Sequence, residues 1–160
     1  MDERKSLYAE VIDEFDRGFD LAAKYDSVTH QYGSETLFQI EMHTVKFVGR
    51  HSNTTVTEIS EATGKTVSAC SQMIRKLRER GILTQTRNPS NNREQLLHLT
   101  DYGWAIYLAH DKIESFCMER TYRYLDQFSD EDLKTYIEVQ KKLNEAFQED
   151  INTETGLIEV

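Results

Sequence analysis

The sequence predicts a mainly α-helical chain with one small β-hairpin: a winged helix-turn-helix lobe joined to long flanking helices. Three observations predict it. Thr54 to Thr100 holds two short amphipathic helical patterns separated by a glycine turn. Two short strand patterns follow, on either side of a polar, turn-rich hexapeptide. Before and after this block, apolar residues recur at helical spacing over long stretches.

Taken in order, residues 4–25 read as an amphipathic helix, with Leu7, Tyr8, Val11, Ile12, Phe15, Phe19 and Ala22 in one wide stripe. Residues 26–34 carry Ser27, Thr29, Gly33 and Ser34 and read as a connection. A second helix is expected from about Glu35 to Arg50, followed by His51-Ser52-Asn53. Thr55 with Glu58 three residues later forms a capping box, so a short helix starts there with Ile59 and Ala62 inward. Gly64 suits the left-handed end of that helix. Thr66 caps the next one, which places Cys70, Met73, Ile74 and Leu77 on one face. Its other face carries Ser68, Ser71, Gln72, Arg75, Lys76 and Glu79, and Gly81 ends it. Residues 82–87 and 95–99 read as strands. Asn88-Pro89-Ser90-Asn91-Asn92-Arg93 between them is dense in turn formers. Thr100 can cap the helix that follows, with Asp101 favourable at its start. That helix is expected to run to about Gln127 and to be apolar on more than one side, so it asks for more cover than a small monomer offers. Ser129 with Asp132 caps the last helix, striped by Leu133, Tyr136, Ile137, Leu143 and Phe147. Residues 150–160 are acidic and lack periodicity.

At 160 residues the chain is read as one domain, 1–160, large enough for a core. The single Pro, Pro89, leaves no Pro-rich linker. No apolar run is long enough to span a bilayer, and no signal peptide precedes the first helix. Cys70 and Cys117 suggest neither a disulfide framework nor a metal knuckle, so a reduced, cytoplasmic setting is expected. The net charge of −9 argues against a nucleic-acid partner if taken whole. Its distribution reverses that reading. Residues 50–99 hold eight Lys or Arg against four acids, a balance of +4, and the remainder holds eleven against twenty-four, a balance of −13. A basic module on an acidic body orients toward DNA, with modest and salt-dependent attraction.

The exposed face of the second short helix has the chemistry of a groove reader: small hydroxyls near its start, Gln for adenine, Arg for guanine. The turn ending in Arg93 is placed to reach a phosphate or minor groove. The expected DNA-facing set is Thr66, Ser68, Ser71, Gln72, Arg75, Lys76, Arg87, Asn92 and Arg93. Any solvated helix face shares some of this composition, and winged helices also serve as protein–protein modules. The helix–turn–helix–hairpin order and the Arg-bearing turn favour DNA.

These residues carry a family resemblance. Val56-Thr57-Glu58-Ile59-Ser60, Thr66-Val67-Ser68, Ile74-Arg75-Lys76-Leu77 with Arg80-Gly81-Ile82-Leu83, and Leu99-Thr100-Asp101-Tyr102-Gly103 resemble the winged helix-turn-helix of the MarR family of bacterial transcriptional regulators. The resemblance implies a winged-helix lobe over 34–100, dimerisation helices over 4–25 and 101–149, and a tail over 150–160. It implies a homodimeric repressor on a palindromic operator, its recognition helices about one DNA turn apart, with affinity set by a small-molecule or metal effector. The wing departs from the family's Asp-x-Arg-Arg: it reads Asn91-Asn92-Arg93-Glu94, without the leading Asp and one Arg, which predicts a weaker wing contact.

No catalytic constellation is present: no Gly-rich phosphate loop, no nucleophile elbow, no His-Glu-x-x-His. The carboxylates Asp130-Glu131-Asp132 sit at a helix start, where the helix dipole accounts for them. The histidines are His30, His43, His51, His98 and His110. His110 and Glu114 are four apart and share a helix face, a spacing that suits two ligands of one metal. The family resemblance brings His43 and His30 to the same neighbourhood, since its zinc-sensing members hold metal there, although the family's Cys and Glu ligands are missing. His30, His43, His110 and Glu114 are thus the expected border of an effector or zinc site. The competing reading is an interfacial His–carboxylate hydrogen bond.

Overall fold

The structure is a computed structural model, and it describes residues 2–153, with the side chains of Asn92 and Arg93 outside the description. Helix α1 spans Glu3–Ser27, capped by Asp2, whose carboxylate accepts from the Arg4 N–H. Strands β1, Thr29–Tyr32, and β2, Glu35–Phe38, form an antiparallel hairpin. Helix α2 spans Gln39–Arg50, α3 Val56–Thr63 and α4 Val67–Glu79. Strands β3, Leu83–Asn88, and β4, Asn91–Leu99, form the wing. Helices α5, Asp101–Leu125, and α6, Asp130–Asn152, complete the order. No described helix is long and apolar enough to cross a membrane.

The chain divides into two compact units, Met1–Ile113 and Glu114–Val160. The core lies in the first. Leu37, Met42, Val45, Ile59, Leu77 and Ile82 are fully buried there, joined by Cys70, Ile74, Leu83, Leu97 and Ile106. The capping signals of the sequence are all made. The Thr55 hydroxyl accepts from the Glu58 N–H while the Glu58 carboxylate accepts from the Thr55 N–H at 2.7 Å. Thr66 accepts from the Ala69 N–H, and Gly64 adopts φ 65°. In the second unit, Ser129 and Asp132 cap α6 reciprocally.

The start of α5 is fastened to the lobe. The Thr100 hydroxyl accepts from the Gly103 N–H and donates to the Gly81 carbonyl at 2.6 Å. Gly103 is required there: a Cβ would lie 2.2 Å from the Ile82 carbonyl oxygen. A third chain segment joins the wing, where the Leu97 N–H donates to the Thr54 carbonyl at 2.7 Å.

Two expectations are corrected. Residues 26–34 are not a plain connection, nor does a helix begin at Glu35. Instead α1 continues to Ser27, and the β1–β2 hairpin turns at Gly33-Ser34 with Gly33 at φ 61°. The pairing buries Tyr32 and Leu37 in the core, which a helix begun at Glu35 would not do at both positions. The wing is also tighter than the expected hexapeptide turn. Asn88 pairs with Asn91 after a register shift, leaving Pro89-Ser90 as the tip. The Asn88 side-chain oxygen accepts from the Ser90 N–H, and its amide donates to Glu94 at 2.8 Å, which holds this turn. Asn92 and Arg93 therefore belong to β4 by their backbone rather than to the turn.

Candidate nucleic-acid interface

Helix α4 divides cleanly. Cys70, Ile74 and Leu77 are buried, with the Cys70 thiol 3.6 Å from the Thr63 hydroxyl. Thr66, Ser68, Ser71, Gln72, Arg75, Lys76 and Arg78 are all exposed. The Ser71 hydroxyl donates to the Val67 carbonyl at 2.8 Å, so in this rotamer it lies along its own helix. Arg75 approaches Glu79 at 3.8 Å, a long and solvated pair that leaves its guanidinium donors available. The helix N-terminus, with its unsatisfied N–H groups, adds partial positive charge beside Thr66 and Ser68. On the wing Arg87 is exposed. Asn92 and Arg93 lie outside the described side chains.

One basic residue of this block does something else. Arg80, the cap residue at the end of α4, turns its guanidinium inward. Its Nε and Nη2 donate to Glu35 Oε2 at 2.8 and 2.5 Å, its Nη1 to Glu41 Oε1 at 3.2 Å, and Nη2 also to the Thr36 carbonyl at 2.8 Å. Glu41 Oε2 accepts in turn from the Phe38 N–H at 2.9 Å, fixing the start of α2. Sequence reading counted Arg80 with the DNA-attracting charge and assigned it no role. The signal available in the chain was a pair of acids, Glu35 and Glu41, six residues apart.

Of the expected effector residues, His30 and His110 come together. His110 is buried and its Nδ1 lies 2.6 Å from the Tyr32 hydroxyl. The His30 ring stands edge-on to His110, with centroids 5.8 Å apart, and its Nε2 is buried without a hydrogen-bond partner. His43 instead is exposed on α2, 3.3 Å from the Gln39 amide nitrogen. It borders a cavity of about 610 Å³ whose other walls include Phe38, Ile40, Phe47, Thr63 and Lys65. Glu114 opens the second compact unit. Among the described residues no group of three His, Cys, Asp or Glu side chains is arranged to hold a metal ion. The i, i+4 spacing of His110 and Glu114 reported a shared helix face but not the burial of one member.

Residues 39–94 match the MarR family model. No curated protein sequence matches the chain. Solved structures do. FabT of Streptococcus pneumoniae, in complex with DNA, is 20% identical with a TM-score of 0.70, over 90% of this chain and 99% of that one. The zinc-responsive MarR family member ZitR of Lactococcus lactis is 18% identical with a TM-score of 0.73, over 88% of this chain and 99% of that one. The adhesin competence repressor AdcR of Streptococcus pyogenes is 20% identical with a TM-score of 0.64, over 89% and 96%. Residues 39–94, which hold α2, α3, α4, β3 and the start of β4, are thus similar to the MarR family model, and the chain shares along nearly its whole length the fold of these solved structures, one of them a MarR family member.

Proposed function

We propose that this protein is a homodimeric, sequence-specific DNA-binding transcriptional regulator, a repressor acting at a palindromic operator. One observation carries the reading: α4 buries Cys70, Ile74 and Leu77 and leaves a continuous exposed face of Ser68, Ser71, Gln72, Arg75 and Lys76. On this reading α4 lies in the major groove, where Gln72 reads adenine and Arg75 guanine. Thr66 and Lys76 take phosphates, and Arg87, Asn92 and Arg93 serve the wing contact. FabT and ZitR, which share the fold, have both been solved bound to DNA. A second copy of the chain is the proposed cover for the apolar faces of α1 and α6, neither of which buries a residue in the single chain.

Selection of binding sites from random duplex DNA tests the reading. Enrichment of an inverted repeat with half-sites about one helical turn apart is expected. Recovery of no sequence, together with salt-insensitive binding to a protein partner, would favour the protein–protein alternative.

The effector reading changes with the geometry. ZitR is zinc-responsive, but among the described residues here no three His, Cys, Asp or Glu side chains are arranged to hold a metal ion. The His110 Nδ1 is engaged by Tyr32, and His43 is exposed on α2. The cavity beside His43 has the size of a small-molecule site, which ranges from about 300 to 1,000 Å³. We therefore favour an organic effector over zinc, with His43 at its border. Calorimetric titration with zinc checks the choice: tight uptake abolished by His110→Ala would restore the metal.

A further inference from the structure

Arg80 stands at the end of the helix proposed to read DNA, yet its charge is spent inside the lobe. We infer that Arg80 is a positioning residue for DNA recognition: it locks the C-terminal end of α4 to the tip of the β1–β2 hairpin, whose other strand is held by α5. The inference rests on the DNA-binding reading above.

The first support is the completeness of the arrangement. Four hydrogen bonds engage three of the guanidinium nitrogens, on two carboxylates and a carbonyl. Arg80, Glu35 and Glu41 have side chains only 27%, 22% and 11% exposed. Turning Arg80 outward to a phosphate would strand two half-buried carboxylates, which is costly. Contact with DNA is thus the less favourable use of this residue.

The second support is register. Tyr32 and Glu35 are a cross-strand pair flanking Gly33-Ser34. Tyr32 bonds His110 of α5 at 2.6 Å, and Glu35 bonds Arg80 of α4. Two facing residues at one end of a four-residue strand pair therefore grip two different helices. A displacement of His110 against the hairpin is passed to Glu35, because paired strands move as one piece. The lever matters for recognition because α4 is 13 residues long, about 20 Å. A tilt at the Arg80 end displaces Ser68, Ser71 and Gln72 at the other.

The test compares wild type, Arg80→Gln, Arg80→Lys, Tyr32→Phe and the double variant Tyr32→Phe/Arg80→Gln. Affinity for the selected operator and for random duplex is measured across salt concentrations, with thermal melting alongside. Arg80→Gln is expected to weaken operator binding about three- to thirtyfold with an unchanged salt slope, because no phosphate contact is lost. Arg80→Lys, which keeps the charge but not the fork, falls between. Tyr32→Phe weakens binding less, and its effect vanishes in the Arg80→Gln background. A salt slope lowered by about one, with equal loss on random DNA, would overturn the inference and make Arg80 a phosphate contact. A lowered melting point with wild-type affinity of the folded fraction would overturn it by leaving Arg80 a purely structural role. Hydrogen exchange reads the lock without DNA: Tyr32→Phe should reduce protection in the last turn of α4, and unchanged protection would break the link between hairpin and helix. If wild type binds no duplex at all, the DNA-binding reading fails while this exchange result still stands on its own.

Discussion

Helices α4 and α6 carry the same local signals and reach opposite outcomes. Each is preceded by a capping hydroxyl, Thr66 or Ser129, that accepts from the third helical N–H. Each has a stripe of apolar residues at helical spacing. Yet α4 buries Cys70, Ile74 and Leu77, whereas α6 buries nothing and leaves Tyr136 64% and Ile151 75% exposed. Helix α1 behaves like α6, with no buried residue and Phe19 70% exposed. Amphipathicity thus states that a face will be covered, not by what. The short helices of the winged lobe cover one another within one chain. The long ones display apolar surface beyond what a monomeric protein ordinarily shows as scattered residues, and a second chain is the proposed cover.

The sharpest way to break this contrast is to damage the lobe where its packing is tightest. Gly103→Ala puts a methyl 2.2 Å from the Ile82 carbonyl oxygen, a backbone atom that cannot swing aside. The first turn of α5 must then lift off the Gly81–Ile82 corner. A loss of about 3 kcal/mol or more is expected, at the upper end for overpacking, read as a fall in urea midpoint. Unchanged stability would mean that α5 is not anchored by this corner.

The outer helices should respond in the reverse manner. Phe19→Glu removes an apolar ring worth about 1.5–3 kcal/mol per subunit if it is buried in a dimer. Light scattering at micromolar concentration should show the wild type at twice the chain mass and the variant shifted toward one. The lobe should stay folded, because Phe19 contributes nothing to its core. A variant that remains dimeric would place the cover elsewhere on α1 or on another helix.

On the exposed side of α4, Gln72→Ala or Arg75→Ala should leave folding untouched, since both side chains are solvated. Each should cost about 1–3 kcal/mol on the selected operator and relax preference at one base pair. Equal losses on operator and random duplex would turn them into phosphate contacts. The wing should contribute less than the helix, because it offers Arg87 and Arg93 but lacks the second Arg and leading Asp of the family pattern.

Much of this lobe was legible in the chain because its signals are local. Thr55 with Glu58, Gly64, Thr66 and the Cys70–Ile74–Leu77 spacing each determine structure within a few residues. The β1–β2 hairpin was not legible, since Thr29–Tyr32 and Glu35–Phe38 are four-residue strands, polar at Thr29, His30, Gln31, Glu35 and Thr36. Their pairing is specified only by burial of Tyr32 and Leu37 against distant elements. Arg80 was missed for a related reason. A basic side chain reads the same whether it faces phosphate or a carboxylate 45 residues away. Burial was hidden in the same way, because helical spacing alone did not show that His110 is buried while His43 is exposed.

The smallest expected effect lies at the start of α3, and its pH dependence separates local from tertiary support. Glu58 closes the capping box by accepting from both the Thr55 N–H and the Thr55 hydroxyl, at 2.7 and 2.9 Å. Those hydrogen bonds, the backbone one first, hold its carboxyl below the ordinary carboxylate range. A depressed folded-state value means that the unfolded chain binds its proton first as pH falls. The stabilisation is therefore complete above the unfolded value and is lost as pH drops through the folded one. Because Glu58 is solvent-exposed, the effect is screened and small. Thr55→Ala should cost about 1 kcal/mol near neutral pH. It should also flatten the part of the acid stability profile that comes from Glu58, because the carboxylate loses the hydroxyl donor and the cap geometry. Urea denaturation of wild type and variant at neutral pH and at about pH 3 reads both. The gap between them should narrow in acid. A gap that stays constant would mean that the Thr55 hydroxyl acts on the backbone alone, and that the core contact of Ile59 holds α3 without help from Glu58.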